Sequence, residues 1–242
     1  MEIVLYPKFE EVFIDDTVRG IFYPLCTVEL ASGKNVHFVS HNGIWTNDES
    51  NSDQNSFDHF CFSLKEGKYV FSGDITLYKG HKVAQAVSSA LQEEFWTNAD
   101  YYFKAKMSLE DYTERVIPLV TDLADDELDL ETYLETYLEF FYAYSLNKLV
   151  FQKTGQFAKY RQLIDGFGKA DPSPYVYKVG DEDFDTTLRY NELSEIAPAS
   201  FISENYPPIG MTIGCEFFTD GNDCVLYYNE KEDTVICLNT YS

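Results

Sequence analysis

The first 80 residues contain short apolar runs in which hydrophobic and polar positions alternate, a period typical of β-strands. The runs cover 2–6, 11–14, 21–30, 35–40, 57–64 and 69–78. Two of the joints between them, 31–34 and 65–68, contain glycine and have the length of hairpin turns. We therefore predict an N-terminal antiparallel β region over 1–80, with the polar stretch 46–56 as an exposed loop.

The hydrophobic period changes to that of a helix near His81. Val83, Val87, Leu91 and Phe95 fall on one helical face. Ser108 stands where a helix N-cap is expected, and the longest helical run lies around 130–149. We predict a helical region over 81–168 with a central block of about four helices.

The chain returns to strand-like patterning after Pro172. A short strand is expected at 175–179, followed by a three-stranded meander made from GMTIGCEFF, CVLYYN and TVICLNTY, whose two turns are rich in Asp, Gly and Asn. The predicted fold class is α+β, with antiparallel β-sheet regions at both ends (1–80 and a C-terminal β meander over 169–242) flanking the helices. We expect one compact unit. The pattern leaves open whether the two β regions share a sheet.

Charge changes the picture of what this protein can bind. The chain has 41 Asp and Glu against 18 Lys and Arg, a formal net charge of −23, yet 17% of its residues are aromatic. Acidic disordered tails lack aromatic residues, so the composition indicates a folded body with a negative surface. Such a surface repels nucleic acid and anionic membranes and attracts basic partners.

The beginning of the chain and its cysteines suggest a compartment. The N-terminus carries acid where a signal peptide needs basic residues, and no stretch approaches the ~18 apolar residues of a membrane span. We expect a cytoplasmic protein. Its five cysteines are an odd number without a CxxC motif, and they are predicted to be reduced thiols, four of them buried in strands: Cys26, Cys61, Cys224 and Cys237.

Two groups of residues have the chemistry of metal ligands but not the spacing. His37, His41 and His59, with Asp58 and Cys61 beside the last, could face one another across neighbouring strands, yet their spacing matches no compact zinc motif. The acids in and just after the polar loop (Asp48, Glu49, Asp53 and Asp58) lack the central Gly and terminal Glu of a calcium loop. We expect no metal and no cofactor.

An acidic repeat precedes and enters the longest predicted helix. Leu130, Leu134 and Leu138 recur every four residues and predict a core-facing ridge, while Glu131, Glu135 and Glu139 form an acidic ridge elsewhere on the helix. A second acidic cluster contains Asp181, Asp183 and Asp185. These six acidic residues are the predicted binding residues, with solvated surface as the alternative for each cluster.

The common catalytic signatures are missing from the sequence. It contains no GxSxG, P-loop, HExxH or GxGxxG motif, and 41 carboxylates are too many for a catalytic pair to be chosen by inspection. No catalytic residue is predicted.

The final meander, PPIGMTIGCEFFTDGNDCVLYYNEKEDTVICL, resembles the C-terminal β region of bacterial YwqG-like proteins of unknown function. More loosely, its order of glycine, acidic turn and aromatic strand resembles the SMI1/KNR4 immunity superfamily. The likeness covers about 35 of 242 residues. It implies an α+β cytoplasmic binding protein, of a kind that includes immunity proteins against secreted toxins, and assigns no functional residue.

The sequence therefore favours a bacterial, non-catalytic, cytoplasmic protein-binding module, with immunity-type action as one form, whose acidic face meets a basic partner such as a toxin. The alternative is a small-molecule-binding protein or enzyme with a pocket lined by tyrosines and carboxylates. A pocket with converging groups of shifted pKa would favour the alternative. Nothing in the sequence decides the oligomeric state.

Overall fold

Two antiparallel sheets and eight α-helices make up the described part of the chain, which in this computed structural model comprises residues 2–41, 55–56, 58–123, 134–165, 176–196, 203–219 and 221–240. The strands are β1 (Ile3–Leu5), β2 (Tyr23–Glu29), β3 (Asn35–Ser40), β4 (His59–Lys65), β5 (Lys68–Phe71), β6 (Val176–Lys178), β7 (Pro208–Thr212), β8 (Asp223–Asn229) and β9 (Thr234–Thr240). The helices are α1 (Phe9–Val12), α2 (His81–Thr97), α3 (Ala99–Ala105), α4 (Leu109–Val120), α5 (Glu135–Thr154), α6 (Tyr160–Asp165), α7 (Thr186–Ile196) and α8 (Gly214–Phe217). The α+β prediction is confirmed.

The larger sheet joins the two ends of the chain. Its six strands run in the order β5-β4-β9-β8-β7-β6, and β4 pairs with β9 from His59 opposite Leu238 to Ser63 opposite Thr234. The question that the sequence left open is thereby answered, because strands from both β regions share one sheet. Both predicted N-terminal hairpins, β2–β3 and β4–β5, are present, as is the β7–β8–β9 meander.

A smaller sheet, in the order β1-β2-β3, packs against the larger one. The Tyr69 hydroxyl on β5 accepts a hydrogen bond from the His37 amide of β3 at 2.7 Å and donates one to the His37 carbonyl at 2.9 Å. The Cys224 thiol on β8 donates to the Val39 carbonyl. Side chains of one sheet thus satisfy backbone groups of the other, as buried polar groups require.

The larger sheet separates two hydrophobic cores. Along β9, Val235 and Cys237 belong to the main core, while Ile236 and Leu238 belong to a second core on the opposite face. The second core is completed by Leu193 of α7 and by Phe184 and Tyr206 from the adjoining segments. Alternation along each strand is what places the two sets on opposite faces.

Helix α5 is the longest helix among the described residues and is buried on nearly all sides. The predicted leucine ridge is confirmed for Leu134 and Leu138, which are fully buried, whereas Leu130 lies outside the described residues. The Tyr144 hydroxyl donates to the Pro24 carbonyl at 2.6 Å, and the Asn147 amide donates to the Phe217 carbonyl at 3.1 Å. These hydrogen bonds attach α5 to both β regions.

Three segments predicted as strand are helical, and one further helix lies where no regular element was predicted. Residues 11–14 were expected to form a strand, but α1 occupies Phe9–Val12 and turns Val12 into the core. Strand β5 ends at Phe71, and a 3₁₀ turn follows over Ile75–Leu77, where Asp74 accepts from the Thr76 amide. The third of these segments and the unpredicted helix lie in the C-terminal region.

In that region, β7 ends at Thr212 and α8 follows. A Cβ at Gly214 would meet the carbonyl oxygens of Gly221 and Asn222 at 2.4 and 2.5 Å, so only glycine allows this approach of the chain. Helix α7 was missed altogether because only one of its eleven residues, Leu193, is buried, which leaves a weak helical pattern.

All five cysteines are free, which agrees with the predicted reduced thiols. Cys26, Cys61, Cys224 and Cys237 are buried in strands, and Cys215, at the start of α8, is exposed. Burial raises the pKa of Cys61 to about 12, so this thiol stays protonated at neutral pH.

Candidate functional site

The acidic ridge of α5 is only partly within the described residues. Glu135 is exposed in the first turn, Glu139 is partly buried, and Glu131 lies outside the described residues. Burial, with a contribution from the Glu135 charge, raises the pKa of Glu139. In the described part of the chain, the ridge therefore offers a partner one exposed carboxylate, Glu135, and one partly buried carboxylate, Glu139.

The second acidic cluster is exposed, but two of its members stabilise local structure. The Asp181 carboxylate accepts from the Lys178 amide at 2.7 Å. Asp185 accepts from the Thr187 and Leu188 amides at 2.9 and 3.1 Å and so caps α7. Asp183 makes no such contact with the described residues and is the member available to a partner.

The two acidic clusters lie on opposite sides of the larger sheet. Helix α5 belongs to the main core, whereas Phe184, inside the second cluster, packs in the second core. A single flat interface cannot cover both clusters. They remain two separate predicted binding surfaces.

Two of the three histidines considered as metal ligands, His37 and His59, lie on different sheets. His37 lies on β3 of the smaller sheet and His59 on β4 of the larger one, so the expected pairing of their strands is wrong. His37 contacts the Thr27 hydroxyl at 2.8 Å and the Gly67 carbonyl at 2.9 Å, and His59 contacts the Ser56 hydroxyl at 2.8 Å. Within the described residues, no group of three His, Cys, Asp or Glu side chains could hold a metal ion.

A cleft of about 280 Å³ opens where α1, the start of β2, α2 and α5 meet. Gly20 forms part of its wall with a φ of +82°, and a Cβ there would meet the Ala84 carbonyl at 2.5 Å. The glycine thus lets the chain before β2 lie directly against α2. The Tyr137 hydroxyl of α5 donates to the Gly20 carbonyl at 2.7 Å, which fixes α5 against the chain before β2.

Aromatic rings make up much of the cleft wall. Six of its residues are aromatic: Phe9, Phe22, Tyr23, Trp96, Phe141 and Tyr144. Tyr23 and Tyr144 pack edge to face with centroids 5.0 Å apart, and the exposed fraction of Trp96 is 37%. The buried rings are held by the core, while Trp96 is partly open to solvent.

The charge of the cleft is opposite to that of the chain. Three of its described lining residues are basic (Lys8, Arg19 and Lys148), and one, Glu10, is acidic. Arg19 is already neutralised, because its guanidinium contacts Glu10 at 2.9 Å and Asp16 at 2.8 Å. Lys8, at the edge, is exposed and lies 3.8 Å from Glu11. Of these three basic residues, Lys148 is therefore the one whose charge still lacks a partner in the described part of the chain.

The Lys148 ammonium has no carboxylate partner among the described residues. Its Nζ lies over the face of Tyr144, 5.7 Å from the ring centroid. Burial lowers the pKa of Lys148 from 10.5 to about 8, an effect that the charges of Glu10 and Glu11 offset in part. At neutral pH the cleft holds a partly buried positive charge that the protein does not neutralise.

Neutral polar side chains complete the cleft. Ser145 and Lys148 are three residues apart on α5 and share a helical face with Gln152. Ser145 is only 3% exposed and its side chain lines the cleft. On the α2 side, the Gln92 amide donates to the Ser88 hydroxyl at 3.2 Å. Donors and acceptors are thus available beside the charge.

A second, wider groove of about 790 Å³ lies between the two sheets. Glu2 and Glu29 line one side, and Lys178 and Asp181 line the other. It includes one predicted binding residue, Asp181, but that carboxylate is used by the Lys178 amide. The groove is more open than the cleft and contains no unneutralised buried group among its described residues.

The sequence analysis missed Lys148 as a site residue. The sequence did contain an indication of its role. Lys148 lies in the run YAYSLNKLVF, and almost all of the remaining side chains in that run are buried. A lysine in such a helix has to place its ammonium in a cleft or against a partner. Arg19, Trp96 and Ser145 come from three separate segments, and no local pattern brings them together.

Comparison of the chain with protein-family models, with curated proteins and with solved structures gives no match. The resemblance of the final meander therefore stays an expectation from the sequence. None of the described helices combines the length and apolar character needed to cross a membrane.

Proposed function

We propose that this protein is a binding protein whose cleft between α1, β2, α2 and α5 holds a small anionic molecule. The observation that carries the proposal is the Lys148 ammonium, partly buried and without a carboxylate partner among the described residues. An unpaired charge removed from water is costly, and a bound anion would compensate it. The proposal is a form of the alternative that the sequence left open, a small-molecule-binding protein, although that alternative expected tyrosines and carboxylates and this cleft has two tyrosines, one carboxylate and three basic residues.

The described lining favours binding over acid–base catalysis. It contains no histidine or cysteine, and its one carboxylate, Glu10, is engaged by Arg19. The tyrosine hydroxyl nearest to Lys148 donates to the Pro24 carbonyl, and burial raises the pKa of Tyr144 well above its ordinary value. Such groups orient a ligand rather than exchange protons with it at neutral pH.

The test is calorimetric titration of the whole protein with sodium acetate, benzoate and phosphate at pH 7. We expect saturable binding of at least one anion, weakened at least tenfold by Lys148→Met, which keeps the side-chain length and removes the charge. Lys153→Met is the matched control, since Lys153 lies on the same helix but pairs with Asp100 at 2.7 Å. Equal binding by wild type and Lys148→Met, or no saturable binding, would overturn the proposal.

The acidic surface supports a second function, recognition of a basic protein in the cytoplasm, including an immunity-type interaction with a toxin. Glu135 and Asp183 favour it, because both are exposed and neither has an ion-pair partner among the described residues. Electrostatic steering would raise the association rate with a basic partner. Since the two residues lie on opposite sides of the larger sheet, a single partner should use one of them.

That second function is tested on a basic protein recovered with the chain from cells that produce it. The association rate should fall steeply between roughly 0.05 and 0.5 M salt. Either Glu135→Lys or Asp183→Lys, but not both, should slow it about tenfold. Asp185→Lys is a poor choice because it also removes the cap of α7. A rate that is insensitive to salt and to both reversals would contradict acidic-face recognition.

A further inference from the structure

We infer that the ligand of the cleft is a monocyclic aromatic monocarboxylate, with its carboxylate at Lys148 and its ring among the aromatic side chains. The inference rests on the proposed function and names its ligand class. It draws on the charge, the shape and the polar groups of the cleft.

The number of uncompensated charges sets the charge of the ligand. Arg19 bridges two carboxylates, those of Glu10 and Asp16, and Lys8 is exposed beside Glu11. Of the three cations that line the described part of the cleft, Lys148 is the one without a carboxylate partner. One free cation matches a monoanion, whereas the second charge of a phosphate monoester would lie close to Glu10 without a partner.

The rings and the volume set the body of the ligand. Six aromatic residues line a cleft of about 280 Å³, below the ~300–1,000 Å³ of drug-sized pockets, so one ring with a short acid is the size that fits. The ring centroids of Trp96 and Phe95 are 5.2 Å apart, and Trp96 packs against no other ring in the described residues. It can therefore stack on a bound ring.

The Ser145 hydroxyl gives the ligand a second polar contact. Ser145 is almost completely buried and lies three residues before Lys148 on the cleft-lining face of α5. A serine hydroxyl donates one hydrogen bond, and a carboxylate oxygen is a suitable acceptor for it. Lys148 and Ser145 can thus hold the same carboxylate.

Four probes separate the parts of this inference in titrations of the full chain at pH 7. Benzoate is the test ligand, acetate lacks the ring, benzamide lacks the charge, and phenyl phosphate carries a second charge. We expect acetate to bind at least 30-fold more weakly than benzoate, and benzamide and phenyl phosphate at least tenfold more weakly. Acetate equal to benzoate, or phenyl phosphate tighter than benzoate, would overturn the ligand class while leaving anion binding at Lys148 intact.

Variants of the cleft supply the second arm. Trp96→Leu should weaken benzoate about tenfold and leave acetate unchanged, whereas Ser145→Ala should weaken both about threefold to tenfold. Tyr101→Leu is the control, because Tyr101 is an exposed aromatic residue, 49% exposed against 37% for Trp96, that does not line the cleft. Thermal melting of each variant without ligand separates binding from folding. If Trp96→Leu weakens benzoate no more than Tyr101→Leu does, the placement of the ring is wrong.

Discussion

Lys148 and Lys159 belong to the same helical region, and each places an ammonium largely out of water. Lys159 is paired with Glu216 of α8, whose side chain is 5% exposed. Lys148 has the face of Tyr144 as its neighbour and no carboxylate partner in the described part of the chain. The Lys159 pair attaches α6 to the C-terminal β region. The contrast teaches that a buried lysine is structural where the fold supplies its counter-charge and a candidate ligand contact where it does not.

From this comparison we expect the largest change in stability when the paired lysine, Lys159, is substituted. Lys159→Met removes the partner of a carboxylate that is nearly inaccessible to water, so the free energy of unfolding should fall by about 3 kcal/mol. Urea denaturation at pH 7 measures this loss. A change below about 1 kcal/mol would show that Glu216 is compensated by other groups and would weaken the contrast.

Substitution of the unpaired lysine, Lys148, is expected to raise the free energy of unfolding rather than lower it. Lys148→Met replaces a desolvated ammonium with an apolar side chain of similar length, so the protein should become more stable by about 1–3 kcal/mol at pH 7 in the absence of ligand. The melting temperature should rise by roughly 2–4 °C per kcal/mol for a chain of this size. A loss of stability would mean that the Lys148 ammonium already has a favourable partner.

The gain from Lys148→Met should also depend on pH. The pKa of Lys148 is about 8 in the folded protein and 10.5 ordinarily. Below pH 8 both folded and unfolded chains carry the proton, so the cost of the ammonium is present in full. Between pH 8 and 10.5 the unfolded chain binds more protons, and wild-type stability rises relative to the variant. Denaturation of both proteins from pH 7 to 9.5 should show the difference shrinking; a constant difference would refute the lowered pKa.

The smallest change in stability is expected for substitution of Glu10. Glu10 is the carboxylate of the described cleft lining, and its charge acts on Lys148. Its side chain is 66% exposed, so Glu10→Gln should change the free energy of unfolding by no more than about 0.5 kcal/mol. Because the Glu10 charge raises the pKa of Lys148, its removal should lower that pKa further. Titration of the Lys148 side chain by NMR tests this, and an unchanged or higher pKa would place Glu10 outside the electrostatics of the cleft.

Local pattern predicted those elements whose residues have a strong period of their own. The β2–β3 and β4–β5 hairpins follow from glycine-containing turns between aromatic and β-branched runs, and α5 follows from its dense apolar sequence. Helices α1 and α8 were predicted as strands because four-residue segments carry too few positions to distinguish the two periods. Helix α7 was missed because Leu193 is its one buried residue.

The site depended on contacts that local pattern does not contain. The six predicted binding residues were chosen from acidic runs, and the structure shows that two of them, Asp181 and Asp185, hydrogen-bond backbone amides nearby. Arg19, Trp96 and Lys148 are more than 50 residues apart in sequence and meet only when α2 and α5 pack beside the start of β2. No spacing rule could have selected them together.

By itself, the sequence determined the α+β class, the hairpins, the buried cysteines and the leucine positions of α5, because each depends on residues within about ten positions of one another. The tertiary structure decided that β4 pairs with β9 to join the two ends of the chain, that the acidic clusters lie on opposite sides of that sheet, and that Lys148 lacks a carboxylate partner among the described residues. The physical reason is that pairing and desolvation of a charge depend on which distant segments pack around it. Those contacts are set by burial of the whole core and not by the local period of the chain.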